Sequence, residues 1–419
     1  VSSTAIRKNI EKNRDISHLI DTMAQNFIYT HNLYLGERKT KAVKADRPYT
    51  TTLVAAQEGG FWRDLEAFLD QDSAEDQALS FLTGELPQNS RLVAIRRDGH
   101  LESTAMVQTV SSRDLYDVIG RRDICHYLRE KGGSHMAFIS HLVFSDKAMD
   151  GGQRALTDAL LWAIEQTATV AVYMGQGEQE KKRLRGLLMR HGFQLLTEAF
   201  ADDGSDAWYA IVNMRMPLLL SNNVGTLLKE PYAHLPSVAR VLFDTHHRLM
   251  QAMTAFYPGE LVLSYESAVL EAELARLISS ENGVPPVQGQ VRTLGDYMCV
   301  PFGHLLRRSV VANTVTRPFF IQRLYPGDMR QLDIAPLPYH SDLKTQAQVL
   351  YAFHRGVILS DEVINRGRTL ELVLPLLAAE KVPIKSMVSG IITGSGRDLL
   401  EALDLPYRAL HYLPNVRYW

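Results

Sequence analysis

The stretch from Gly356 to Thr369 constrains the fold of this chain more than any other segment. It opens with a short apolar run, Val357 to Leu359, which contains neither Gly nor Pro and is typical of a buried strand in a parallel sheet. Two adjacent carboxylates, Asp361 and Glu362, mark the end of this predicted strand. Ligands of open α/β sheets bind at the carboxyl ends of the strands, so the acid pair predicts a site at that edge.

A loop of small and polar residues follows the acids and opens the next predicted helix. Its glycine, Gly367, lies between Asn365 and Thr369, just before an apolar, helix-like run that starts at Leu370. The backbone N–H groups of such a loop can point at a phosphate, helped by the positive end of the helix. The two carboxylates can accept hydrogen bonds from both hydroxyls of a ribose. The stretch therefore predicts a ligand with a vicinal diol at one end and a phosphate at the other.

The segment from Val357 to Thr369 resembles the signature of the type I phosphoribosyltransferases, in which an apolar strand, an acidic pair, two apolar positions and a small-residue loop lead to Gly-x-Thr. Arg366 departs from this pattern, because the family usually has Thr or Ser before the glycine. The alternative is a strand-turn-helix whose acids are merely solvated. The resemblance implies that 5-phosphoribosyl 1-diphosphate is bound by Asp361, Glu362, Asn365, Arg366, Gly367, Arg368 and Thr369.

The likeness spans about residues 259–413 and is to the orotate phosphoribosyltransferase-like members of the family. It implies a first strand at Gly259 to Ser264, followed by a pyrophosphate loop made of Ser264, Tyr265, Glu266 and Ser267. A later strand, Arg317 to Leu324, resembles the family strand that ends on a basic residue, which makes Arg323 the candidate for neutralising the departing pyrophosphate. The long connection from Tyr325 to Lys344 is interpreted as a lid or as an ordinary surface hairpin.

The resemblance also implies a reaction and a metal. A nitrogen nucleophile would displace pyrophosphate from the sugar through an oxocarbenium-like state, with Asp361, Glu362 and Arg323 as the catalytic residues. Magnesium would bridge the diphosphate and the ribose hydroxyls and would contact Asp361 and Glu362. The sequence does not identify the acceptor base.

A second constellation lies between His135 and Phe193. Its predicted elements are a strand, a glycine-containing turn, an apolar-striped helix, a second strand and a basic helix, followed by Gly192-Phe193: Phe138 to Phe144, Asp150 to Ala155, Leu156 to Gln166, Thr169 to Tyr173 and Glu178 to Arg190. A glycine turn between a strand and a helix can offer N–H groups to a pyrophosphate. Upstream, Asp98-Gly99 predicts a hairpin between two strands of Arg91 to Val110.

This order of elements resembles the core of the GNAT acyltransferases from about residue 91 to residue 214. The resemblance implies an acyl-coenzyme A, of which acetyl-CoA is the representative, held by Val143, Ser145, Gly151, Gly152, Gln153 and Arg154. Two departures leave catalysis open. No register of Lys147 to Ala155 reproduces the family's phosphate cradle, and Leu188 occupies the position of a general-acid Tyr found in many members. The alternative is a domain that binds or scaffolds without chemistry.

The predicted fold class is therefore α/β, with an N-terminal GNAT-like α+β domain and a C-terminal phosphoribosyltransferase-type domain whose mainly parallel sheet is flanked by helices. The composition changes sharply at Pro217 to Asn223, which predicts domains at residues 1–216, with a core of about 91–214, and 217–419. A chain of 419 residues is long enough for two or three domains with separate cores.

Composition narrows the function classes. The formal net charge is -2, so no basic excess indicates nucleic-acid binding. Cys125 and Cys299 are far apart and predict neither a disulfide framework nor a structural zinc site. No window approaches the ~18 apolar residues of a membrane span. We expect a cytoplasmic protein that acts on small molecules without a membrane partner, and the resemblance makes a homodimer plausible.

Three functions follow from these patterns. The first is a phosphoribosyltransferase with an accessory GNAT-like domain, and the second is an enzyme that combines phosphoribosyl and acetyl transfer. The third is a non-catalytic sensor of a phosphoribosyl ligand. An intact acid pair favours ribose binding but does not separate a catalyst from a sensor.

Overall fold

The structure is a computed structural model. It describes residues 2–11, 16, 19–30, 33–34, 50–54, 64–65, 68, 89–97, 99–131, 134–144, 149–196, 206–222, 235–287, 294–325 and 331–414. Ser145 and residues 326–330 of the predicted lid lie outside the described residues.

The described residues form helices and strands that alternate over much of the chain. The helices are α1 Ser3–Glu11, α2 Thr22–Thr30, α3 Leu115–Ile119, α4 Arg122–Lys131, α5 Met149–Glu165, α6 Gly177–Arg190, α7 Pro236–Phe256, α8 Ser267–Glu281, α9 Leu343–Ala352, α10 Arg368–Ala379 and α11 Gly394–Ala402. A short 3-10 helix spans Leu305–Arg308. The strands are β1 Thr50–Val54, β2 Ser90–Arg97, β3 His100–Ser111, β4 His135–Phe144, β5 Val170–Gln176, β6 Gln194–Leu195, β7 Ala207–Asn222, β8 Glu260–Glu266, β9 Tyr297–Pro301, β10 Val315–Thr316, β11 Ile321–Leu324, β12 Asp333–Pro336, β13 Gly356–Ile364, β14 Ile384–Thr393 and β15 Tyr407–Leu413.

The chain divides into two compact units. One consists of Arg47–Glu266 with Leu413–Trp419, and the other of Val1–Asp46 with Ser267–Tyr412. The predicted boundary at residue 216/217 falls inside β7, because the apolar residues after Pro217 continue that strand. Residues Leu218 to Asn222 pair with Val262 to Glu266 of β8, so β7 and β8 belong to the same unit, which the chain leaves after Glu266.

The unit containing β1 to β8 is built on a mixed sheet in the order β1-β2-β3-β4-β5-β7-β6, with β8 paired to β7. The pairs β4–β5 and β7–β8 are parallel, whereas the other recorded pairs are antiparallel. Strands β2 and β3 pair up to Arg97 and His100, as the predicted hairpin requires; Gly99 has a φ of 85°, and Asp98 lies outside the described residues. Helix α5 packs on β2, β3 and β4 through buried residues such as Leu156 and Leu160.

The other unit contains an all-parallel five-stranded sheet in the order β10-β9-β13-β14-β15, together with the separate antiparallel pair β11–β12. The apolar run at the start of β13 is buried, as expected for a strand covered by helices on both faces. Helix α10 buries Leu370, Val373 and Leu377, whose spacing places them on one face. The predicted α/β class is confirmed.

Two local predictions differ from the structure. The glycine-containing turn predicted at Asp150 to Ala155 is instead the first part of α5, which begins at Met149. The Cβ of a larger residue at Gly152 would overlap the Phe144 ring, so close packing against β4 explains a glycine inside this helix. A proline inside a helix is expected to kink or shorten it, yet α10 runs through Pro375 to Ala379. Among the described residues, no helix has both the length and the apolar character needed to cross a bilayer.

Candidate functional site

The acid pair lies on the central strand of the parallel sheet. Strand β13 has β9 on one side and β14 on the other, and it continues through both acids to Ile364. Strand β9 ends at Pro301, opposite Ser360 of β13. The chain therefore leaves β9 beside the two acids, at the carboxyl edge where ligands of such sheets bind.

The loop after β9 holds the Glu362 carboxylate. The backbone N–H of His304 donates to both carboxylate oxygens, at 3.0 Å to Oε1 and 2.9 Å to Oε2. A Cβ at Gly303 would overlap Glu362 Oε2 and Asp361 Oδ1, so only glycine lets the loop come this close. The loop residues Gly303 and His304 were not among the residues predicted from the sequence.

The Asp361 carboxylate is held from two other directions. Arg323 Nη2 donates to Asp361 Oδ2 at 2.9 Å, and the Glu362 backbone N–H donates to Asp361 Oδ1 at 2.9 Å. Asp361 is 4% exposed, so this ion pair is shielded from solvent on the acid's side. The predicted catalytic residues Asp361, Glu362 and Arg323 are thus together.

Burial and mutual repulsion separate the pKa values of the two acids. Burial raises the pKa of Asp361 well above its usual range, and the Glu362 charge adds to the rise while Arg323 opposes it. Burial also acts to raise the pKa of Glu362, but hydrogen bonds from Asp361 and the His304 N–H outweigh it and lower that pKa. The two acids therefore interact closely, and the charge of each one affects the protonation of the other.

The predicted phosphate loop follows on the same edge. Gly367 has a φ of 70° and caps α10, and a Cβ there would overlap the Leu399 side chain. Thr393 Oγ1 donates to the Asn365 carbonyl at 2.9 Å, which ties the loop to the start of α11. Arg366 and Arg368 are exposed, whereas Thr369 is 9% exposed.

The loop contains one buried acceptor of interest for ligand binding. Within the described part of the chain, Asn365 Oδ1 is buried and has no hydrogen-bond partner. An unsatisfied buried amide oxygen is costly unless a ligand or water supplies a donor. Together with the N–H groups at the start of α10, it is consistent with a small polar ligand at this edge.

The four residues of the predicted pyrophosphate loop do not form a loop. Ser264, Tyr265 and Glu266 belong to β8 of the mixed sheet, and Ser267 begins α8. Ser264 Oγ lies 2.5 Å from His246 Nε2, and Tyr265 is buried beneath the Arg154 guanidinium. These side chains are committed to packing, so the assignment is corrected.

The acid pair was also predicted to hold magnesium. No group of three or more His, Cys, Asp or Glu within the described ranges could hold a metal ion. Both oxygens of Glu362 accept the His304 N–H, and Asp361 is paired with Arg323. These carboxylates are already engaged within the protein and do not fit a resident magnesium site.

The mixed sheet contains a second candidate site, where β4 and β5 separate. The two strands pair only over Met136–Ile139 and Val170–Tyr173. Beyond this point β4 stays with β3, and β5 stays with β7. His141, with a φ of 52°, lies where the β3–β4 register shifts, and burial lowers its pKa.

Side chains from α6 line this separation. Arg183 donates to the Phe144 carbonyl, and its guanidinium lies 4.5 Å from the centre of the Phe144 ring. Glu180 accepts hydrogen bonds from the Tyr173 hydroxyl at 2.8 Å and the Gln176 N–H at 2.5 Å. Burial raises the pKa of Glu180.

The residues predicted to hold acyl-coenzyme A are only partly placed for it. Val143 lies on β4, whereas Gly151, Gly152 and Gln153 lie within α5 rather than in a turn. Arg154 is engaged within the protein, since its Nε pairs with Asp158 Oδ2 at 3.0 Å and its Nη2 donates to the Tyr265 hydroxyl at 3.1 Å.

Comparisons with known proteins add little to this geometry. No protein-family model matches the chain, and no curated protein matches it. Among solved structures, the chain is similar to FeeM, an N-acyl amino acid synthase from uncultured soil microbes, with 14% identity, a TM-score of 0.27, and coverage of 39% of this chain and 91% of the other. A second similar structure is a putative acyl-CoA N-acyltransferase from Klebsiella pneumoniae, with 15% identity, a TM-score of 0.26, and coverage of 39% of this chain and 97% of the other.

A polyamine N-acetyltransferase from Drosophila melanogaster is a third such structure, at 10% identity and a TM-score of 0.27, covering 39% of this chain and all of the other (100%). Similarities of this size do not establish a function.

Proposed function

We propose that the unit with the parallel sheet binds 5-phosphoribosyl 1-diphosphate and transfers its phosphoribosyl group to a nitrogen nucleophile. One observation carries the proposal: an acid pair lies near the carboxyl end of the central strand, and a glycine-capped helix N-terminus follows it on the same edge. Asp361 and Glu362 offer acceptors to a vicinal diol, and the start of α10 offers donors to a phosphate. The sequence resemblance and this geometry support the same ligand.

The proposed reaction exchanges one bond at the sugar. The nucleophile's nitrogen forms a bond to C1 of the ribose as the bond from C1 to the diphosphate oxygen breaks, and the diphosphate leaves with the electron pair. A proton leaves the nucleophile's nitrogen to solvent or a base. The anionic Glu362 would stabilise positive charge on the ring, and Arg323 and the His304 N–H would receive the diphosphate.

The acid pair gives the direct test of this proposal. The double variant D361N/E362Q should lose ribose affinity and pyrophosphate release while still unfolding cooperatively in a thermal melt. The matched control is D404N, in the turn before β15 and so at the opposite end of the sheet. Full activity in the double variant would refute the site. If wild type binds the sugar tightly but releases no pyrophosphate with any base tested, the result would favour the non-catalytic sensor.

The separation of β4 and β5 supports a second activity, acyl transfer from acyl-coenzyme A. Strand β4 beyond Ile139 does not pair with β5, and this separation is the place where an extended ligand would lie between the two strands. Glu180, with its raised pKa, is the candidate base beside that opening. Calorimetry with acetyl-CoA should show saturable binding to wild type. The E180Q variant should bind acetyl-CoA equally well but should no longer transfer the acetyl group. Absence of saturable binding at millimolar acetyl-CoA would exclude this activity.

A further inference from the structure

The acids of the candidate phosphoribosyl site are already paired with the groups proposed to hold the diphosphate. Asp361 Oδ2 accepts from Arg323, and both Glu362 oxygens accept from the His304 N–H. Each acid that should bind the diol is thus occupied by a donor that should bind the diphosphate. A ligand cannot use the acids fully without displacing these donors.

The Arg323 side chain is accessible to an incoming anion. Its side chain is 34% exposed, while that of Asp361 is 3% exposed, so an incoming anion reaches Arg323 from solvent. It lies on β11, which pairs only with β12 among the described strands. The base of this hairpin is fixed, because Phe320 exchanges hydrogen bonds with Gln346 at 2.7 and 3.2 Å. Arg323 therefore projects from an anchored support.

We propose that Arg323 and the His304 N–H exchange partners when ligand binds. Both donors move from the acid pair to the diphosphate. This inference rests on the proposed function. A diphosphate draws Arg323 away from Asp361 and so frees acceptors for the ribose hydroxyls, and a ribose that takes the acids releases Arg323 for the diphosphate. Binding of the two ends is therefore mutually favourable, and the effect is reciprocal by linkage.

The exchange makes Arg323 a specificity determinant as well as a diphosphate contact. A sugar phosphate without a diphosphate competes with Arg323 for Asp361 and supplies no anion to receive the guanidinium. A sugar that carries both groups satisfies every donor and acceptor at once. The site therefore selects 1-diphosphorylated sugars against ribose 5-phosphate and nucleoside monophosphates of the same shape.

Calorimetry of the intact protein tests the coupling. Ribose 5-phosphate is titrated with and without saturating inorganic pyrophosphate, at constant magnesium. In wild type we expect pyrophosphate to lower the Kd for ribose 5-phosphate about tenfold, a size typical of coupled sites. In R323Q the change should be no more than about twofold, and R323K should restore part of it. The control R408Q removes an arginine paired with Glu281 at the opposite end of the sheet and should keep the full effect.

The outcomes separate this inference from the proposed function. Binding of ribose 5-phosphate that pyrophosphate leaves unchanged or weakens in wild type would overturn the exchange, as would undiminished coupling in a folded R323Q. Either result leaves phosphoribosyl binding itself intact. If wild type binds neither ribose 5-phosphate nor 5-phosphoribosyl 1-diphosphate at millimolar concentration, the proposed function falls together with the inference.

Discussion

Replacing Gly303 with alanine tests the contact between the β9 loop and the acid pair. The added Cβ would overlap Glu362 Oε2 and Asp361 Oδ1, so the loop or the carboxylates must move apart. That movement breaks the hydrogen bonds from the His304 N–H to Glu362. A hydrogen bond to a charged group contributes about 1.5–3 kcal/mol, and we expect G303A to lose roughly this much stability.

The loss should appear in both unfolding and binding. For a unit of this size, about 2 kcal/mol corresponds to a fall in Tm of roughly 4–8 °C. Because the acids are displaced, the Kd for ribose 5-phosphate should rise about tenfold or more, equivalent to about 1.4 kcal/mol. Thermal unfolding and calorimetry measure the two effects.

A second glycine supplies the control. Gly283 has a φ of 65° with open space around its missing Cβ, so G283A strains the backbone by about 1–2 kcal/mol without touching the acids. It should lower Tm and leave the Kd unchanged. A G303A protein with wild-type Tm and wild-type Kd would refute the argument that this loop positions the acid pair.

Three further predictions address other parts of the chain. G367A should destabilise by about 2 kcal/mol or more in chemical unfolding, because of its φ of 70° and its overlap with Leu399, and L399A should recover part of the loss. Burial lowers the pKa of His191 from 6.5 to about 4, so between these pH values the unfolded chain binds more protons than the folded chain. The free energy of unfolding should therefore fall by about 3 kcal/mol as the pH drops from 6.5 to 4. Urea titrations of H191Q should not show this part of the pH dependence. D158N removes the buried counter-charge of Arg154 and should cost about 3 kcal/mol in urea unfolding, whereas an unchanged midpoint would contradict the role of this ion pair.

The parts of the candidate site that the sequence predicts are those encoded locally. The apolar strand, the acid pair and the glycine that caps α10 lie within one short stretch, and the structure places them together at one sheet edge. Arg323 was identified only by resemblance, and it does reach Asp361. Gly303 was missed although it follows the apolar run of β9, because its importance depends on β9 pairing with a strand far away in the sequence.

The errors share a physical cause. The strand at Gly259 to Ser264 has a pattern that suits either sheet, and its place is decided by pairing with the second half of β7. The predicted domain boundary failed for the same reason, since Leu218 to Leu220 continue a strand rather than begin a linker. Gly152 was read as a turn residue, whereas packing against the Phe144 ring places it in a helix. Partners distant in sequence decide each case.

The most direct measurement is a crystal structure of the protein with 5-phosphoribosyl 1-diphosphate and magnesium. We predict density at the carboxyl edge of the parallel sheet, with the ribose hydroxyls against Asp361 and Glu362, the 5-phosphate at the start of α10 beside Thr369, and Arg323 turned from Asp361 to the diphosphate. Ligand bound at full occupancy elsewhere in the protein would contradict the assignment. So would the absence of ligand density at this edge of the sheet, with the Arg323–Asp361 pair intact, at saturating ligand.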